Sequence, residues 1–261
     1  MKAFAPGQKL AELETPALVI DLDLFESNVR QLSAFCRDHG KAWRPHSKAN
    51  KSPEIAKLLI AEGAIGITCA KLSEAELMVA HGIQSVLLAN QIVTPSKFAA
   101  LAQLQHRAEV IAAIDNITVV APMAAAALAA QATIPVVVEL DIGLNRVGIE
   151  PGAKALDLAR AISKQDGLNF KGLMGYEGHV LDIFPLSEKQ QACRQALDLL
   201  IETKELIEQN DIAVEIVSAG GTGSASKATS SRSRVTSAKR WWRRDSCLRI
   251  MRSQCFRSQS D

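Results

Sequence analysis

A lysine in a turn-forming segment is the first residue whose type and position suggest chemistry. Lys48 lies in the stretch RPHSKANK, residues 44–51, between an Arg-Pro-His corner and a run of small polar residues. A lysine amine that is removed from water loses its proton more easily and can then attack a carbonyl carbon. A solvated surface lysine is the commoner situation. Lys51 is the competing candidate, and we expect it at the start of the next helix, facing water.

A second candidate is the glycine-rich segment AGGTGS, which follows an apolar run near residue 219. The backbone N–H groups of such a segment can surround a phosphate, although a flexible turn has the same composition. The residues of this candidate phosphate loop are Gly220, Gly221, Thr222, Gly223 and Ser224.

Two further side chains are suited to holding a cofactor or a substrate oxygen. Arg146 lies between two glycines in DIGLNRVG, residues 141–148, where a fixed guanidinium can bind an oxyanion. An ion pair with Asp141 or Glu139 is the alternative. Tyr176, the only tyrosine, can hydrogen-bond a cofactor or simply close the end of a core.

Two histidines near these segments, His46 and His179, can act as bases or ligands, but each is more often structural. No His, Cys and Asp spacing in the sequence is typical of a metal site.

These candidates must be positioned by a regular alternation of short β-like runs and longer helical patterns. The predicted strands are residues 17–22, 42–45, 65–70, 85–90, 109–114, 135–141, 170–176 and 214–219. The predicted helices are residues 24–38, 53–62, 73–81, 96–106, 117–131, 153–164 and 187–209. Such alternation indicates parallel βαβ units, which an open doubly wound sheet would also give. The count of eight strands and their even spacing favour an α/β fold of the TIM type, a (β/α)8 barrel.

In a barrel, chemistry gathers at the carboxyl ends of the strands. The unusual residues follow predicted strands at this end, and the opposite ends carry nothing comparable. They are Lys48, Asn90, Gln91, Asp115, Asn116, the Arg146 segment, Tyr176 and the glycine-rich loop. This asymmetry indicates an enzyme scaffold.

The overall composition is that of a soluble α/β protein. The chain has 261 residues, is 48% hydrophobic and has a formal net charge of +2. We expect no membrane span, no signal peptide and a cytoplasmic location, with the five cysteines as free thiols.

The mean charge hides a change of composition after residue 224. Residues 1–224 hold 20 Lys and Arg against 26 Asp and Glu, whereas residues 225–261 hold 10 against 2, with nine serines. We therefore expect three regions: an N-terminal extension (1–14), a barrel (15–224) and a disordered basic tail (225–261), with the last barrel helix incomplete. A nucleic-acid arm is the functional alternative for the tail, and we do not favour it.

Several segments together resemble the D-threonine aldolase and D-serine dehydratase group, pyridoxal-phosphate enzymes of the alanine racemase fold type. The resemblance runs from about residue 11 to Ser224. It is carried by TPALVIDLDLFESNV, RPHSKANKSPEIA, GITCAKLSEAE, LANQIV, VELDIGLNRVGI, FKGLMGYEGH and VSAGGTGS.

The resemblance implies a role for each candidate. Lys48 would bind the cofactor covalently, and the loop Gly220, Gly221, Thr222, Gly223 and Ser224 would bind its phosphate. Tyr176 and Arg146 would hold its ring and phenolic oxygen. The substrate would be a small D-β-hydroxy amino acid, cleaved by retro-aldol reaction or by elimination. This chain has Asn50 and Glu177 where the family commonly has histidine.

The family also has a C-terminal β-rich domain that carries divalent-metal ligands and completes the site in a homodimer. The tail of this chain does not resemble that domain, so we expect the metal ligands to be absent and lyase activity to be weak or lost. Tryptophan has one codon, and reading Trp241-Trp242 one base later gives consecutive glycines, so we hypothesise that the tail is an out-of-frame translation. A barrel that binds pyridoxal phosphate without lyase activity is the alternative function.

Overall fold

The computed structural model describes residues 7–221, 224 and 248–251. The strands are β1 (Ala17–Ile20), β2 (Ile67–Cys69), β3 (Ser85–Leu88), β4 (Glu109–Ile114), β5 (Ile134–Leu140), β6 (Leu168–Gly175), β7 (Ile216–Ser218) and β8 (Leu248–Met251). The α-helices are α1 (Leu22–Asp38), α2 (Pro53–Ala61), α3 (Leu72–Ala80), α4 (Pro95–Leu104), α5 (Val120–Ala129), α6 (Ala153–Ser163) and α7 (Leu186–Glu208). Short 3₁₀ helices cover Leu10–Glu12, Ile117–Val119 and Gly178–Asp182.

The chain divides into two units. The first consists of Met1–Gln31 with Trp242–Asp261, and the second is Leu32–Trp241. In the first unit, β1 and β8 pair antiparallel, with Ala17 opposite Met251 and Ile20 opposite Leu248. Of the predicted tail, the structure describes only these four residues of β8. The hypothesis of an out-of-frame tail and the prediction for the last barrel helix concern residues outside the described part.

The second unit is built on a parallel sheet whose six strands follow one another in sequence order, β2-β3-β4-β5-β6-β7. In a doubly wound sheet the order reverses at a switch point, so this order excludes the open-sheet alternative. It is the order of a barrel wall, as the alternating pattern predicts. The described sheet has six parallel strands rather than the expected eight, because residues 17–20 pair antiparallel with β8 instead.

The two faces of this sheet bury different residues because successive side chains of a strand point to opposite faces. The inner cluster contains Leu87, Ile111, Ala113, Val137 and Met174. Their strand neighbours, such as Val86, Val110 and Val136, belong to the larger cluster that packs against the helices. Strands buried on both faces explain why the sequence shows continuous apolar runs.

The predicted helices are all present, with ends within three residues of the expected positions. Helix α2 shows why: Pro53 occupies its first turn, and the Ser52 hydroxyl accepts a hydrogen bond from the Ile55 N–H at 3.3 Å. Proline needs no N–H at this position, and serine satisfies a donor that the helix cannot.

The second predicted strand, residues 42–45, is wrong as a regular strand, although the segment does lie along β2. Ile65 N–H donates to the Trp43 carbonyl at 2.9 Å and Thr68 N–H to the Pro45 carbonyl at 2.7 Å. His46 forms a single parallel bridge with Thr68. Pro45 has no N–H to donate, which leaves the ladder too sparse for a strand.

The amino end of this segment holds a buried cation. Arg44 is only 7% exposed, and its Nη2 donates to Ser85 Oγ at 3.1 Å, while Ser85 Oγ donates to Glu109 Oε2 at 3.1 Å. Burial lowers the pKa of the Arg44 guanidinium, and the Glu109 charge opposes that shift. Gly66 leaves room for the guanidinium, because a Cβ there would overlap Arg44 Nη1.

A glycine in β6 permits the close approach of β7. The register of β5 and β6 shifts between Val136 and Val137, and Gly172 follows this irregularity with φ +142°. A Cβ at Gly172 would overlap the Ile216 carbonyl oxygen. Only glycine accommodates both the backbone angle and the neighbouring strand.

We therefore expect Gly172→Ala to lower the free energy of unfolding by about 3 kcal/mol or more, through strain and overlap together. Gly82→Ala is the matched control, since Gly82 also has positive φ, +89°, but nothing lies within 4 Å of its Cβ position. The control should lose only about 1–2 kcal/mol. Urea unfolding measures the loss in free energy of unfolding for both variants. Equal losses would show that overlap with the Ile216 carbonyl of β7 adds nothing to the effect of Gly172→Ala.

Candidate functional site

Residues of β2, β3, β6 and β7, with those that directly follow the last three, line a pocket of ≈ 280 Å³, counting the part that is open to solvent. Its lining is largely apolar or backbone: Thr68, Leu87, Ala89, Met174, Gly175, Tyr176, Ser218, Ala219 and Gly220. Such a lining suits a flat ring with a few polar attachments. The pocket lies where the sequence predicts the chemistry.

Lys48 directly follows a backbone segment that is hydrogen-bonded to a residue of the pocket lining. Ser47 N–H donates to the Thr68 carbonyl at 2.8 Å, and Thr68 lines the pocket. The Lys48 N–H donates to His46 Nδ1 at 3.2 Å, which starts a turn over residues 48–50. The Lys48 side chain is exposed. The structure thus presents a lysine amine to solvent at the end of the segment that borders the pocket.

The competing lysine has a different partner. Lys51 adopts φ +51°, and its ammonium forms an ion pair with Glu74 at 3.2 Å. The Glu74 side chain is 7% exposed, and its second oxygen accepts the Ala70 N–H at 2.9 Å. The expectation that Lys51 faces water is confirmed, since its side chain is 51% exposed, and the buried Glu74 carboxylate in addition pairs with its ammonium group. This pairing leaves Lys48 as the candidate nucleophile.

Tyr176 packs its ring between two glycines at the end of β6. A Cβ at Gly221 would lie 3.0 Å from Tyr176 Cε2, and one at Gly178 would lie 2.6 Å from Tyr176 Cε1. Burial raises the pKa of the Tyr176 phenol, the Glu177 charge raises it further, and the Arg146 charge lowers it. The structure therefore brings the predicted Tyr176, Arg146 and Gly221 into one neighbourhood.

The loop that carries Arg146 is shaped by two aspartates. Asp141 Oδ1 accepts the N–H groups of Gly143 and Asn145, both at 3.0 Å. Asp115 Oδ2 accepts the Gly148 N–H at 3.0 Å. Within the described residues no ion pair joins Arg146 to Asp141, so that alternative is not what the fold shows. The exposed Arg146 instead acts electrostatically on Tyr176.

Glu139, the other acid considered for Arg146, is buried inside the barrel. It is 4% exposed, and its Oε2 accepts a hydrogen bond from Gln91 Nε2 at 2.5 Å. Gln91 comes from the loop after β3, whereas Glu139 belongs to β5. The pair therefore ties a loop of the pocket end to the strand wall.

The candidate phosphate loop is described at Gly220, Gly221 and Ser224, and Thr222 and Gly223 lie outside the described residues. Gly221 N–H donates to Ser224 Oγ at 2.9 Å. Gly220 N–H donates to Glu177 Oε2 at 3.2 Å, and the Ser224 hydroxyl donates to Glu177 Oε1. The sequence analysis did not assign Glu177 to this loop. Its position directly after a predicted apolar strand was the one signal that it could face the same end of the barrel.

The two candidate histidines have structural surroundings. His46 Nδ1 accepts the Lys48 N–H. The His179 ring lies against Gly143, and its buried Nδ1 has no hydrogen-bond partner in the part of the chain that the structure describes.

Among the described residues, no three His, Cys, Asp or Glu side chains are grouped so that they could hold a metal ion. Over the same residues, no helix is both long and apolar enough to cross a membrane.

Comparison with known proteins agrees with this geometry. Residues 20–237 match the family described as alanine racemase, N-terminal domain. The chain is 41% identical over 220 residues to a D-threonine aldolase from Arthrobacter sp, covering 84% of this chain and 58% of that protein. It is 33% identical over 221 residues to a 3-hydroxy-D-aspartate aldolase from Paracoccus denitrificans (strain Pd 1222), covering 84% and 57%.

A solved structure shows the same fold. The crystal structure of D-threonine aldolase from Filomicrobium marinum superposes with a TM-score of 0.86 at 37% identity, covering 90% of this chain and 64% of that one. The chain thus spans less than two thirds of the length of these relatives.

The single tyrosine makes the electrostatics of the site measurable. We expect the Tyr176 phenol to titrate above its ordinary pKa, as followed by the ultraviolet absorbance of phenolate in the folded protein. Arg146→Gln should raise this pKa further because it removes the charge that stabilises phenolate. Since the folded state holds the phenolic proton more tightly, stability should fall as pH rises above the ordinary tyrosine pKa. An unchanged midpoint in Arg146→Gln would show that the two side chains are not coupled.

Proposed function

The chain belongs to the alanine racemase N-terminal-domain family, and on that premise we propose that it binds pyridoxal 5′-phosphate through Lys48 and acts as a lyase on D-β-hydroxy amino acids. The observation that carries this proposal is the contrast between two neighbouring lysines. Lys51 is paired with the buried Glu74, whereas Lys48 lies exposed beside the segment that borders the pocket.

The residues present suit the ring end of the cofactor. Leu87, Ala89 and Met174 line an apolar pocket, and the Tyr176 ring borders it. Arg146 supplies a positive charge close to Tyr176, where it can hold an anionic oxygen. Gly220, Gly221, Thr222, Gly223 and Ser224 would hold the phosphate.

When bound, pyridoxal phosphate supplies an electron sink for negative charge at the α-carbon of an amino acid. Lys48 would hold the cofactor covalently, and its amine could accept or give a proton. Tyr176, whose own ring is packed between Gly178 and Gly221, would support the cofactor ring.

The substrate class follows from the relatives. One is a D-threonine aldolase and another a 3-hydroxy-D-aspartate aldolase, and both substrates carry a β-hydroxyl. In the aldol cleavage of D-threonine, the β-hydroxyl loses its proton, the bond between the α- and β-carbons breaks, and the α-carbon gains a proton. The products are glycine and acetaldehyde. Elimination of the β-hydroxyl is the competing lyase reaction, and it ends in a keto acid and ammonia.

Binding of the cofactor without lyase activity is the second candidate. The chain spans 58% of the D-threonine aldolase that it matches, so the activity of the whole protein is itself part of the proposal. A divalent metal and a homodimer, which the family resemblance implies, belong to the lyase proposal. They are tested by assays with and without Mn²⁺ and by the mass in light scattering.

The cofactor site is tested by borohydride reduction of the purified chain with pyridoxal phosphate, followed by peptide mass mapping. We expect a pyridoxyl adduct on Lys48. Lys48→Ala should abolish it, whereas the matched control Lys51→Ala should retain it. An adduct on Lys51, or labelling that Lys48→Ala leaves unchanged, would contradict the assignment.

The reaction is tested by measuring glycine and acetaldehyde from D-threonine in the presence of pyridoxal phosphate. We expect product from D-threonine but not from L-threonine. Loss of the Lys48 amine should reduce the rate at least 10²-fold, the magnitude typical of losing an acid–base group. If Lys48 forms the adduct but neither D-threonine nor D-3-hydroxyaspartate is consumed, with or without Mn²⁺, the binding-only alternative is correct.

A further inference from the structure

The candidate phosphate loop already binds an anion that belongs to the chain. Glu177 is completely buried, with 0% exposure. One of its oxygens accepts the Gly220 N–H at 3.2 Å, and the other accepts the Ser224 hydroxyl. A carboxylate at the end of β6 thus reaches the loop after β7, 43 residues further along the chain.

These contacts explain how the carboxylate can be buried. An ionised carboxyl group loses its hydration inside a protein. Hydrogen bonds donated by N–H or O–H groups of the protein must replace that hydration. Here the replacement comes from a backbone N–H and a hydroxyl of the loop. The Gly221 N–H supports the arrangement, because it donates to the same Ser224 oxygen at 2.9 Å.

The same donors are those that a phosphate would need. A phosphate at a glycine-rich loop is held by backbone N–H groups and hydroxyls. Gly220 N–H and Ser224 Oγ cannot serve two anions fully at once. If a phosphate took them, an ionised Glu177 would be left buried, short of donors and next to a second negative charge, which is strongly unfavourable.

We propose that Glu177 is a built-in competitor for the phosphate group of the cofactor. Its carboxylate holds Gly220 and Ser224 in the way a bound anion would, and a phosphate binds only as Glu177 withdraws from them. Glu177 therefore sets the affinity of the site for phosphate-bearing ligands. This inference rests on the proposed function, since it assigns the loop to the phosphate of pyridoxal phosphate.

Glu177 should affect the phosphate end of the cofactor and not the end that carries the ring and the aldehyde. Pyridoxal, which has the same aldehyde and ring but no phosphate, should not compete with Glu177. Inorganic phosphate, which has no ring and no aldehyde, should compete fully. Replacing Glu177 should therefore alter only the affinities for ligands that carry a phosphate group. A general effect on folding would alter the affinities for all three ligands.

The experiment uses the full chain and compares wild type with Glu177→Gln by calorimetry, with pyridoxal phosphate, pyridoxal and inorganic phosphate as probes. The amide keeps the shape but is uncharged, and it can accept a hydrogen bond from only one of the two loop donors because its NH2 group is itself a donor. We expect the affinities for pyridoxal phosphate and inorganic phosphate to rise by roughly ten- to a hundredfold, the gain from releasing hydrogen bonds to a charged group. The affinity for pyridoxal should stay unchanged.

Glu139→Gln is the matched control. It removes another buried carboxylate of the barrel, one that accepts a hydrogen bond from Gln91. Its affinity for inorganic phosphate should stay within about threefold of wild type, as expected for a change at an independent site. An equal gain in both variants would overturn the proposal, because it would indicate a general field effect.

Unchanged or weaker binding of inorganic phosphate by Glu177→Gln would also overturn it. If circular dichroism shows that this variant does not fold, Glu177→Ala takes its place. Alanine removes the carboxylate and with it both contacts to Gly220 N–H and Ser224 Oγ, so the same gain is expected.

The two proposals fail separately. Inorganic phosphate cannot react with Lys48, so its tighter binding to Glu177→Gln supports the competitor even if no adduct forms on Lys48. An adduct on Lys48 together with unaltered phosphate affinity would retain the cofactor site and reject the competitor.

Discussion

The parallel hydrogen-bond ladder is the constraint on which the site depends. It runs from residues 43–47 through β2 to β7 without a change of order. Every crossover then returns the chain to the same end of the wall, so that all carboxyl ends lie at one edge. Tyr176 and Gly221 are far apart in sequence and lie together only because of this order. The apolar residues on both faces of the sheet hold the ladder together.

Three buried carboxylates at this edge each connect two segments. Glu74 links its helix to the Ala70 N–H and to Lys51, Glu139 links β5 to Gln91, and Glu177 links β6 to the loop after β7. Each carboxylate must find donors because it is out of water, and the nearest donors belong to loops. Because each buried carboxylate requires these hydrogen bonds, the loops that donate them are held in fixed positions around the pocket.

The sequence predicts what depends on local pattern and misses what depends on distant partners. Apolar runs and start signals such as Ser52-Pro53 locate the helices, seven of the eight strands and the end of the barrel that carries Lys48, Arg146 and Tyr176. Residues 42–45 fail as a strand because Pro45 lacks the N–H that pairing requires. The partners of Lys51 and Glu177 are 23 and more residues away, and no periodicity announces them. Only the folded ladder brings them together.

The segment from Arg44 to Lys48 connects a buried charged side chain to an exposed one. At one end a guanidinium is sealed beneath the strands with Ser85 and Glu109, and at the other an amine stands in solvent. In extended chain the four steps between them measure about 13 Å. The buried Arg44 therefore limits how far the backbone at Lys48 can move along the wall. Adding or deleting one residue between them would change that separation, so a candidate site at Lys48 depends on the length of the segment as well as on the lysine.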